Sequence, residues 1–198
     1  RIGDIIISLA LLIITAPLLI LISFLIYLED QDSIFYQQVR TGLNGKKFKI
    51  IKFRSMTKDA EKEGIKWARR SDPRITKIGR IIRATRLDEL PQLICVIRGS
   101  MSLIGPRPER PEIENKLLSE IPYYDLRKIA KPGISGWAQV NYPYGASVED
   151  TVNKLSYDVY YLCNFSLFLD LIILFKTIKT VCNAVGYKPK LSNKVKKF

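Results

Sequence analysis

The most apolar stretch of the chain is Ile5–Leu28, IIISLALLIITAPLLILISFLIYL, which has 24 residues and no charged side chain. As a straight helix it would be about 36 Å long, whereas the hydrocarbon core of a bilayer is about 30 Å thick. Its apolar core is too long for a typical signal peptide, and no small-residue cleavage site follows it. The stretch therefore predicts a membrane-embedded helix, and the remaining sequence is typical of a soluble domain.

A proline divides this stretch near its middle. Pro17 removes one backbone hydrogen bond and clashes with the preceding turn, so a kink is expected there. We expect the hydroxyl of Thr15 to bond the backbone group that the proline frees. Two interpretations remain open: a kinked helix that spans the membrane, or a re-entrant helix that enters and leaves on the same face. The stretch alone favours the spanning helix.

Positive charge is concentrated beyond the apolar stretch. The chain of 198 residues has a net charge of +13, and the segment Arg40–Arg86 contains 16 Lys and Arg against 4 Asp and Glu. The positive-inside tendency predicts a cytoplasmic location for this part. Such a segment can bind lipid headgroups, phosphorylated substrates or nucleic acid, or it can simply be a solvated face.

The composition excludes several classes of site. The chain has no histidine, so a Ser-His-Asp or Cys-His centre and a His-ligated metal are excluded. Its cysteines, Cys95, Cys163 and Cys182, are far apart, which argues against a disulfide framework or a zinc site. Residue 1 is Arg rather than Met, which we interpret as a sign that the natural chain is longer.

Periodicity and turn signals predict an α+β fold that is mostly helical. A β-hairpin is predicted from Ile34–Arg40 and Lys47–Phe53, joined by a turn at Gly42–Gly45. Ser102–Pro108 is predicted to be a stiff loop and Lys131–Tyr144 an irregular one. The predicted helices are Lys58–Arg70 (short and mobile), Thr76–Arg86, Asp88–Gly99, Glu109–Glu120, Tyr123–Ile129, Ser147–Cys163 and Ser166–Val185, the last with an apolar face.

The predicted helix Thr76–Arg86 is strongly amphipathic. Ile78, Ile81 and Ile82 fall on one side, and basic residues surround them. This pattern is typical of a helix that lies on an anionic membrane, but a surface helix that faces a protein core shows it equally well. Both interpretations remain open at this point.

Two adjacent acids follow this helix and are the best candidates for chemistry. Asp88 and Glu89 can simply favour the start of a helix through its dipole. A carboxylate can also attack phosphorus, provided that a divalent metal and arginines offset the negative charge. Arg107 stands between Pro106 and Pro108, and a guanidinium fixed in this way suits bidentate binding of phosphate.

Five motifs together resemble the bacterial sugar transferase family, the monotopic phosphoglycosyl transferases. The resemblance covers the chain from the apolar stretch to about Lys190. The region from Trp137 to Gly145 is closest to the long members that start exopolysaccharide, capsule or O-antigen units. In chain order the motifs are Phe48–Met56 (FKIIKFRSM), Arg83–Leu93 (RATRLDELPQL), Met101–Pro108 (MSLIGPRP), Lys131–Asn141 (KPGISGWAQVN) and Tyr157–Tyr161 (YDVYY).

The resemblance implies a reaction and a set of site residues. Members of the family transfer a sugar 1-phosphate from a UDP-sugar to polyprenyl phosphate and release UMP. Asp88 would be the nucleophile, with a covalent aspartyl-phosphosugar intermediate, and Glu89 would bind Mg²⁺, or Mn²⁺ in its place. The implied substrate-binding residues are Arg107 with Pro106 and Pro108, Arg83, Lys52 and Asp158, the last of which could instead be structural.

For the apolar stretch, the resemblance favours the re-entrant helix over the spanning helix, because members of the family use a re-entrant helix broken at a proline. It implies a membrane-embedded segment 1–30, a cytoplasmic catalytic domain 31–190 and a basic tail 191–198. Amphipathic helices, Thr76–Arg86 among them, would lie at the membrane interface. The active site would lie on the cytoplasmic face of the bacterial inner membrane. Anionic lipids would be partners, a homo-oligomer is possible, and nucleic acid would not be a partner.

Two other classes compete with this interpretation. The basic segment and the apolar helix would also suit a non-catalytic module that binds anionic lipid or nucleic acid. A transferase without a covalent intermediate is the second alternative, with Asp88 as general base or metal ligand.

Overall fold

The apolar stretch forms one long helix. The structure, a computed structural model, describes residues 1–62, 64, 72–142 and 147–182. Helix α1 comprises Ile2–Asp30, continues through Pro17, and is long and apolar enough to cross a membrane. The hydroxyl of Thr15 donates to the carbonyl of Leu11 at 2.6 Å. The predicted partner was wrong, because the carbonyl that Pro17 leaves free is that of Ile13, four residues before it.

One side of α1 lies against the rest of the protein along its whole length. Its less exposed positions are 4, 5, 8, 12, 15, 16, 19, 22, 23 and 26, a spacing that follows one helical face. Leu12 packs on one core cluster, and Ile22 and Ile26 are buried in another with Phe53. The opposite side is apolar and exposed, as Ile13 and Ile20 show. The re-entrant path stays a prediction.

Both ends of α1 are bonded to the same folded body. At the first end, Arg1 donates to the carbonyls of Val96 and Ile97, and Asp4 accepts from the hydroxyl of Ser102 at 2.9 Å. At the other end, Asp30 pairs with the buried Arg54 at 3.5 Å.

The predicted hairpin is confirmed. Strands β1 (Phe35–Thr41) and β2 (Lys47–Phe53) pair antiparallel, with Phe35 opposite Phe53 and Thr41 opposite Lys47. A short 3₁₀ turn at Leu43–Gly45 joins them. Residues 58–62 form turns rather than the predicted helix, and the rest of that predicted segment, apart from Gly64, lies outside the described residues.

Helix α2, Lys77–Ala84, has two N-terminal caps. Thr76 accepts from the amide of Gly79, and Glu29 of α1 accepts from the amides of Lys77 and Ile78 at 2.7 and 3.2 Å. On the apolar side, Ile82 is buried in the cluster with Phe53, whereas Ile81 is 61% exposed. The core-facing interpretation is therefore correct for Ile82, and Ile81 points outward.

The α-helix predicted after α2 is shorter in the structure and begins as a 3₁₀ helix. A 3₁₀ helix at Leu87–Gln92 leads into α3, Leu93–Ile97, in place of one helix over Asp88–Gly99. Gly99 follows α3 with a φ of +88°, so the predicted stop is confirmed.

The structure contains a second pair of strands that was not predicted from the sequence. Strands β3 (Ser102–Ile104) and β4 (Gly133–Ser135) run parallel, and α5 (Trp137–Asn141) follows them. These elements occupy parts of both predicted loops. The strands approach so closely that a Cβ on Gly133 would lie 2.1 Å from the amide nitrogen of Gly105.

The remaining helices agree with the predictions. They are α4 (Pro111–Glu120), a 3₁₀ segment (Tyr124–Ile129), α6 (Val148–Cys163, with a capping box at Ser147) and α7 (Leu167–Cys182). On α7, Ile173 is buried, while the predicted apolar face is mostly exposed, including Leu167 and Phe175. Residues 143–146, the rest of the predicted last helix up to Val185, and the predicted tail 191–198 lie outside the described residues. The mostly helical α+β fold is confirmed.

Candidate functional site

The two acids that follow α2 are buried. Asp88 and Glu89 lie in the first turn of the 3₁₀ helix Leu87–Gln92, and their exposed fractions are 8% and 7%. The preceding residue, Arg86, has a φ of +60°, which turns the chain sharply between α2 and this helix. The turn brings both carboxylates inward, where Lys52 of β2 lies.

Glu89 binds cations from two other parts of the chain. Lys52 donates to its Oε1 at 3.0 Å. Arg107 donates to both carboxylate oxygens, through Nη1 to Oε2 at 3.2 Å and through Nη2 to Oε1. Arg86 is a more distant neighbour, 3.9 Å from Oε2. Arg107 therefore makes a bidentate contact, but with a carboxylate of the protein in this structure.

The two neighbouring acids have opposite pKa shifts. Burial, with a further contribution from the charge of Glu89, raises the pKa of Asp88 to about 6, although Lys52 and Arg83 act against this. Burial would also raise the pKa of Glu89, but the charges of Arg107 and Lys52 overcome it and hold that pKa well below its usual range. Glu89 is therefore ionised at neutral pH, and Asp88 is the more basic carboxylate.

The pKa values of the neighbouring cations are also shifted. Burial lowers the pKa of Lys52, against the opposing charge of Glu89. The charge of Glu89 raises the pKa of Arg107. Arg83 projects from α2, and its Nη1 lies 3.5 Å from the hydroxyl of Ser55. The structure thus brings five of the residues predicted for the site together: Asp88, Glu89, Lys52, Arg83 and Arg107.

The Pro106–Pro108 segment is anchored through three consecutive carbonyl groups. Pro106 accepts from the amide of Gly133 at 3.0 Å, and Arg107 accepts from Nη2 of Arg127 at 2.8 Å. Pro108 accepts from Nη1 of Arg40 at 3.0 Å. The two prolines have no N–H group to donate, so carbonyl contacts are the main way for the backbone to be held.

Asp158 lies apart from the two acids. It is 2% exposed on α6, and its Oδ2 accepts from Nε of Arg127 at 2.7 Å. Burial raises the pKa of Asp158, against the charge of Arg127. Its connection to the site runs through Arg127 and the backbone of Arg107.

Sequence reasoning missed Arg127 and Arg40. Each is far along the chain from the segment that it holds, by 20 and 68 residues. Neither lies in one of the five motifs, so no local signal pointed to them.

Asp88 and Glu89 can hold a divalent cation only if a bound substrate and water supply the remaining donor atoms. Among the described residues, no group of three or more Cys, Asp or Glu side chains is arranged to hold a metal ion. Mg²⁺ characteristically binds one or two carboxylates and completes its coordination with water and substrate phosphates. Asp88 and Glu89, with cations beside them that are suited to bind phosphate, fit that set of donors.

Comparison with known proteins gives one consistent result. A family model described as "Bacterial sugar transferase" matches residues 1–184. A UDP-N-acetylgalactosamine-undecaprenyl-phosphate N-acetylgalactosaminephosphotransferase of Aeromonas hydrophila is 46% identical over 86% of this chain and 40% of its own length.

Two further relatives have related names. A UDP-glucose:undecaprenyl-phosphate glucose-1-phosphate transferase of Klebsiella pneumoniae is 39% identical over 90% of this chain and 39% of its own length. An undecaprenyl-phosphate glucose phosphotransferase of Komagataeibacter xylinus is 41% identical over 90% of this chain and 35% of its own length. The chain thus spans well under half the length of these relatives.

The opposite pKa shifts predict that neutralising the two acids has opposite effects on stability. Near neutral pH the fold disfavours ionised Asp88, so Asp88→Asn should raise the free energy of unfolding by roughly 2–3 kcal/mol. This gain should shrink as the pH falls through about 6 and vanish below 3.8, where the acid is protonated in both states. Glu89→Gln should instead cost about 3–5 kcal/mol, because Lys52 and Arg107 lose their counter-charge.

Chemical denaturation of the two variants at several pH values measures this difference. Each variant serves as the matched control for the other, because the residues are adjacent and equally buried. Equal destabilisation by both substitutions would contradict the assigned pKa shifts.

Proposed function

Because the chain belongs to the bacterial sugar transferase family, we propose that it transfers a sugar 1-phosphate from a UDP-sugar to undecaprenyl phosphate or a similar polyprenyl phosphate, with release of UMP. The observation that carries the proposal is the buried pair of acids. Asp88 is a basic carboxylate at the edge of a cationic cluster, and Glu89 occupies the centre of that cluster. The different surroundings of these two adjacent carboxylates suit two different roles in the reaction.

The first step is attack by Asp88 on the sugar-bearing β-phosphorus of the donor. A bond forms between the carboxylate oxygen and phosphorus, and the bond from that phosphorus to the oxygen bridging to the α-phosphate breaks. UMP leaves with this oxygen, and the sugar phosphate stays on Asp88 as an acyl phosphate. The raised pKa makes the Asp88 carboxylate a better nucleophile, and it is still ionised above about pH 6.

The second step returns Asp88 to its starting state. A phosphate oxygen of the polyprenyl phosphate attacks the same phosphorus, and the bond to Asp88 breaks. The product is a polyprenyl diphosphate sugar, and the carboxylate is free for another cycle. The two displacements need no general base, since both nucleophiles are anionic oxygens, which agrees with a chain that has no histidine.

The cations beside Glu89 are suited to bind the phosphates of the donor. Lys52 and Arg107 hold Glu89 now, and an incoming diphosphate offers them stronger acceptors of the same geometry. Arg83 lies close enough to affect Asp88 electrostatically and would bind phosphate from the side of α2.

Glu89 would then be available to hold Mg²⁺, with Asp88 beside it and the donor phosphates completing the coordination. A bound divalent cation supplies positive charge that offsets the diphosphate during attack by an anionic nucleophile. In this proposal, Glu89 exchanges protein cations for a metal when the donor binds.

We also propose that α1 is re-entrant and does not cross the bilayer. At 1.5 Å per residue its 29 residues extend about 43 Å, yet both ends are bonded to the same body. One side of the helix also packs on that body along its length. A helix crossing a hydrocarbon core of about 30 Å would pull this body into the lipid.

The exposed apolar side of α1 would contact lipid, and the basic segment would face anionic headgroups at the cytoplasmic surface of the inner membrane. Ile81 of α2 points outward from the same basic region. The lipid-linked acceptor and the soluble donor would meet at this surface. We place the reaction at the first membrane step of a bacterial surface glycoconjugate, a proposal that rests on the undecaprenyl-phosphate acceptor in the names of the relatives.

The covalent step predicts a protein-bound sugar phosphate. Protein incubated with a radiolabelled UDP-sugar, without the acceptor, should release UMP and retain label on the peptide that contains Asp88. Asp88→Asn should abolish both signals, and Asp125→Asn, an exposed acid, should keep both. A panel that includes UDP-N-acetylgalactosamine and UDP-glucose identifies the donor.

Two outcomes would contradict parts of this proposal. Acceptor-dependent UMP release without any trapped adduct would favour direct transfer, with Asp88 as base or metal ligand. Failure of the unmodified protein to release UMP from any donor in the presence of acceptor would favour a non-catalytic binding module.

The role of Glu89 predicts that turnover requires a divalent cation. A chelator should abolish UMP release, and added Mg²⁺ or Mn²⁺ should restore it. Glu89→Gln should raise the cation concentration needed or eliminate turnover, whereas Glu120→Gln, at an exposed position of α4, should behave as the unmodified protein. Full turnover in excess chelator would be inconsistent with the proposed metal site.

The re-entrant path predicts that both ends of α1 are on one side of the membrane. Single cysteines are placed at Gly3 or Ser33 in protein that lacks its natural cysteines. A third variant keeps Cys163 as its one cysteine, and this exposed residue reports on the folded body. In intact cells a membrane-impermeant thiol reagent should label none of the three, and after permeabilisation it should label all of them. Labelling of one helix end from outside, with the other end protected, would establish a crossing helix.

A further inference from the structure

The orientation of Arg107 depends on a backbone that has few ways to be fixed. Pro106 and Pro108 contribute no N–H groups, and a residue that precedes proline is restricted to extended conformations. Within that range, rotation about the Cα–C bond of Arg107 still turns its carbonyl and shifts the direction of its side chain. Whatever binds this carbonyl therefore helps to set where the guanidinium points.

Arg127 binds this carbonyl, and each of its three side-chain nitrogens has a different acceptor. Nη2 donates to the carbonyl of Arg107 at 2.8 Å, and Nε donates to Asp158 at 2.7 Å. Nη1 donates to the hydroxyl of Tyr124 at 2.6 Å. The guanidinium is planar, so fixing it at Asp158 and Tyr124 also fixes the direction of the third donor.

The anchors of Arg127 are themselves buried. Tyr124 and Asp158 are each 2% exposed, and Tyr124 packs in a core cluster with Leu117 and Leu155. A buried aspartate leaves its charge uncompensated unless a cation pairs with it. Asp158 and Arg127 therefore require each other, and together they present one donor to the Pro106–Pro108 segment.

We propose that Arg127 is a positioning residue for the transfer reaction, with Asp158 as its counter-charge, and that it acts by holding the carbonyl of Arg107 so that the Arg107 guanidinium is directed to the phosphate site. The proposal rests on the proposed function, and it gives a role to Asp158, which lies in a family motif without touching Asp88 or Glu89. Arg127 would bind no substrate itself.

The test is a double-mutant cycle on the steady-state rates of UMP release. Arg127→Gln and Arg127→Lys should each lower kcat/KM by roughly 10- to 100-fold, the range expected when a contact group is misplaced by about 1 Å. Lysine should fail to rescue, because one ammonium cannot reach three acceptors in a plane. Asp158→Asn should cause a loss of similar size.

The decisive measurement is the same substitution in protein that already carries Arg107→Ala. If Arg127 acts through Arg107, adding Arg127→Gln should then change kcat/KM by less than about twofold. Losses that multiply in the double variant would show that Arg127 acts independently, and they would overturn the proposal.

A control separates positioning from general loss of stability. Asp170→Ala removes the acceptor for the buried hydroxyl of Tyr161, which lies on α6 one turn beyond Asp158. It should lower the melting temperature while leaving kcat/KM within about twofold, because the hydrogen bond of Asp170 is to Tyr161 and not to Arg107, Arg127 or Asp158. An equal loss of kcat/KM in Asp170→Ala would show that the effect of the Arg127 substitutions comes from lost stability, and it would contradict the proposal.

If Arg127→Gln fails to fold, a milder substitution can test the same hydrogen bonds. Tyr124→Phe removes one of the three acceptors, and it should lower kcat/KM in otherwise unmodified protein but not in Arg107→Ala. Absence of UMP release from the unmodified protein would instead reject the proposed function. Unmodified rates in Arg127→Gln, with an active parent protein, would reject the positioning role alone.

Discussion

The buried carboxylate of Glu89 is the interaction on which the rest of the site depends. It draws Lys52 from a strand and Arg107 from a proline-flanked loop to one point, 37 and 18 residues away along the chain. Lys52 in particular would be strongly destabilising at its mostly buried position without this counter-charge. The same pairing explains the state of Asp88. Lys52 and Arg107 donate their hydrogen bonds to Glu89, so burial dominates at Asp88 and its carboxylate stays basic.

Features with a local chemical cause could be predicted from the sequence. Ser147 and Asn164 bound α6 as expected, because a serine caps a helix start with its own side chain and the signal lies within four residues. The hairpin followed from alternation and from a glycine-containing turn. At the site, Asp88, Glu89 and Arg107 were identified through motifs, and the structure places them together.

Features that depend on distant partners could not be predicted in this way. The strands β3 and β4 have three residues each, and their pairing becomes visible only when segments about 30 residues apart meet. The 3₁₀ start of the segment Leu87–Gln92 follows a left-handed Arg86, a conformation that nothing in its side chain requires. Arg127 belongs to no motif, and its importance comes from contacts with two separate elements, through Asp158 of α6 and the carbonyl of Arg107, and with Tyr124 of its own segment.

The cap that Glu29 provides for α2 changes how the N-terminal helix should be regarded. An apolar N-terminal helix is often treated as a tether that a protease or a cloning boundary can remove without harm. Here its last turn completes the start of another helix, and its Asp30 is a counter-charge of buried Arg54. Removal of α1 would therefore take away one of the two caps of the helix that leads to Asp88 and expose Phe53 and Ile82. A fragment without α1 would therefore lose contacts that support the segment carrying Asp88.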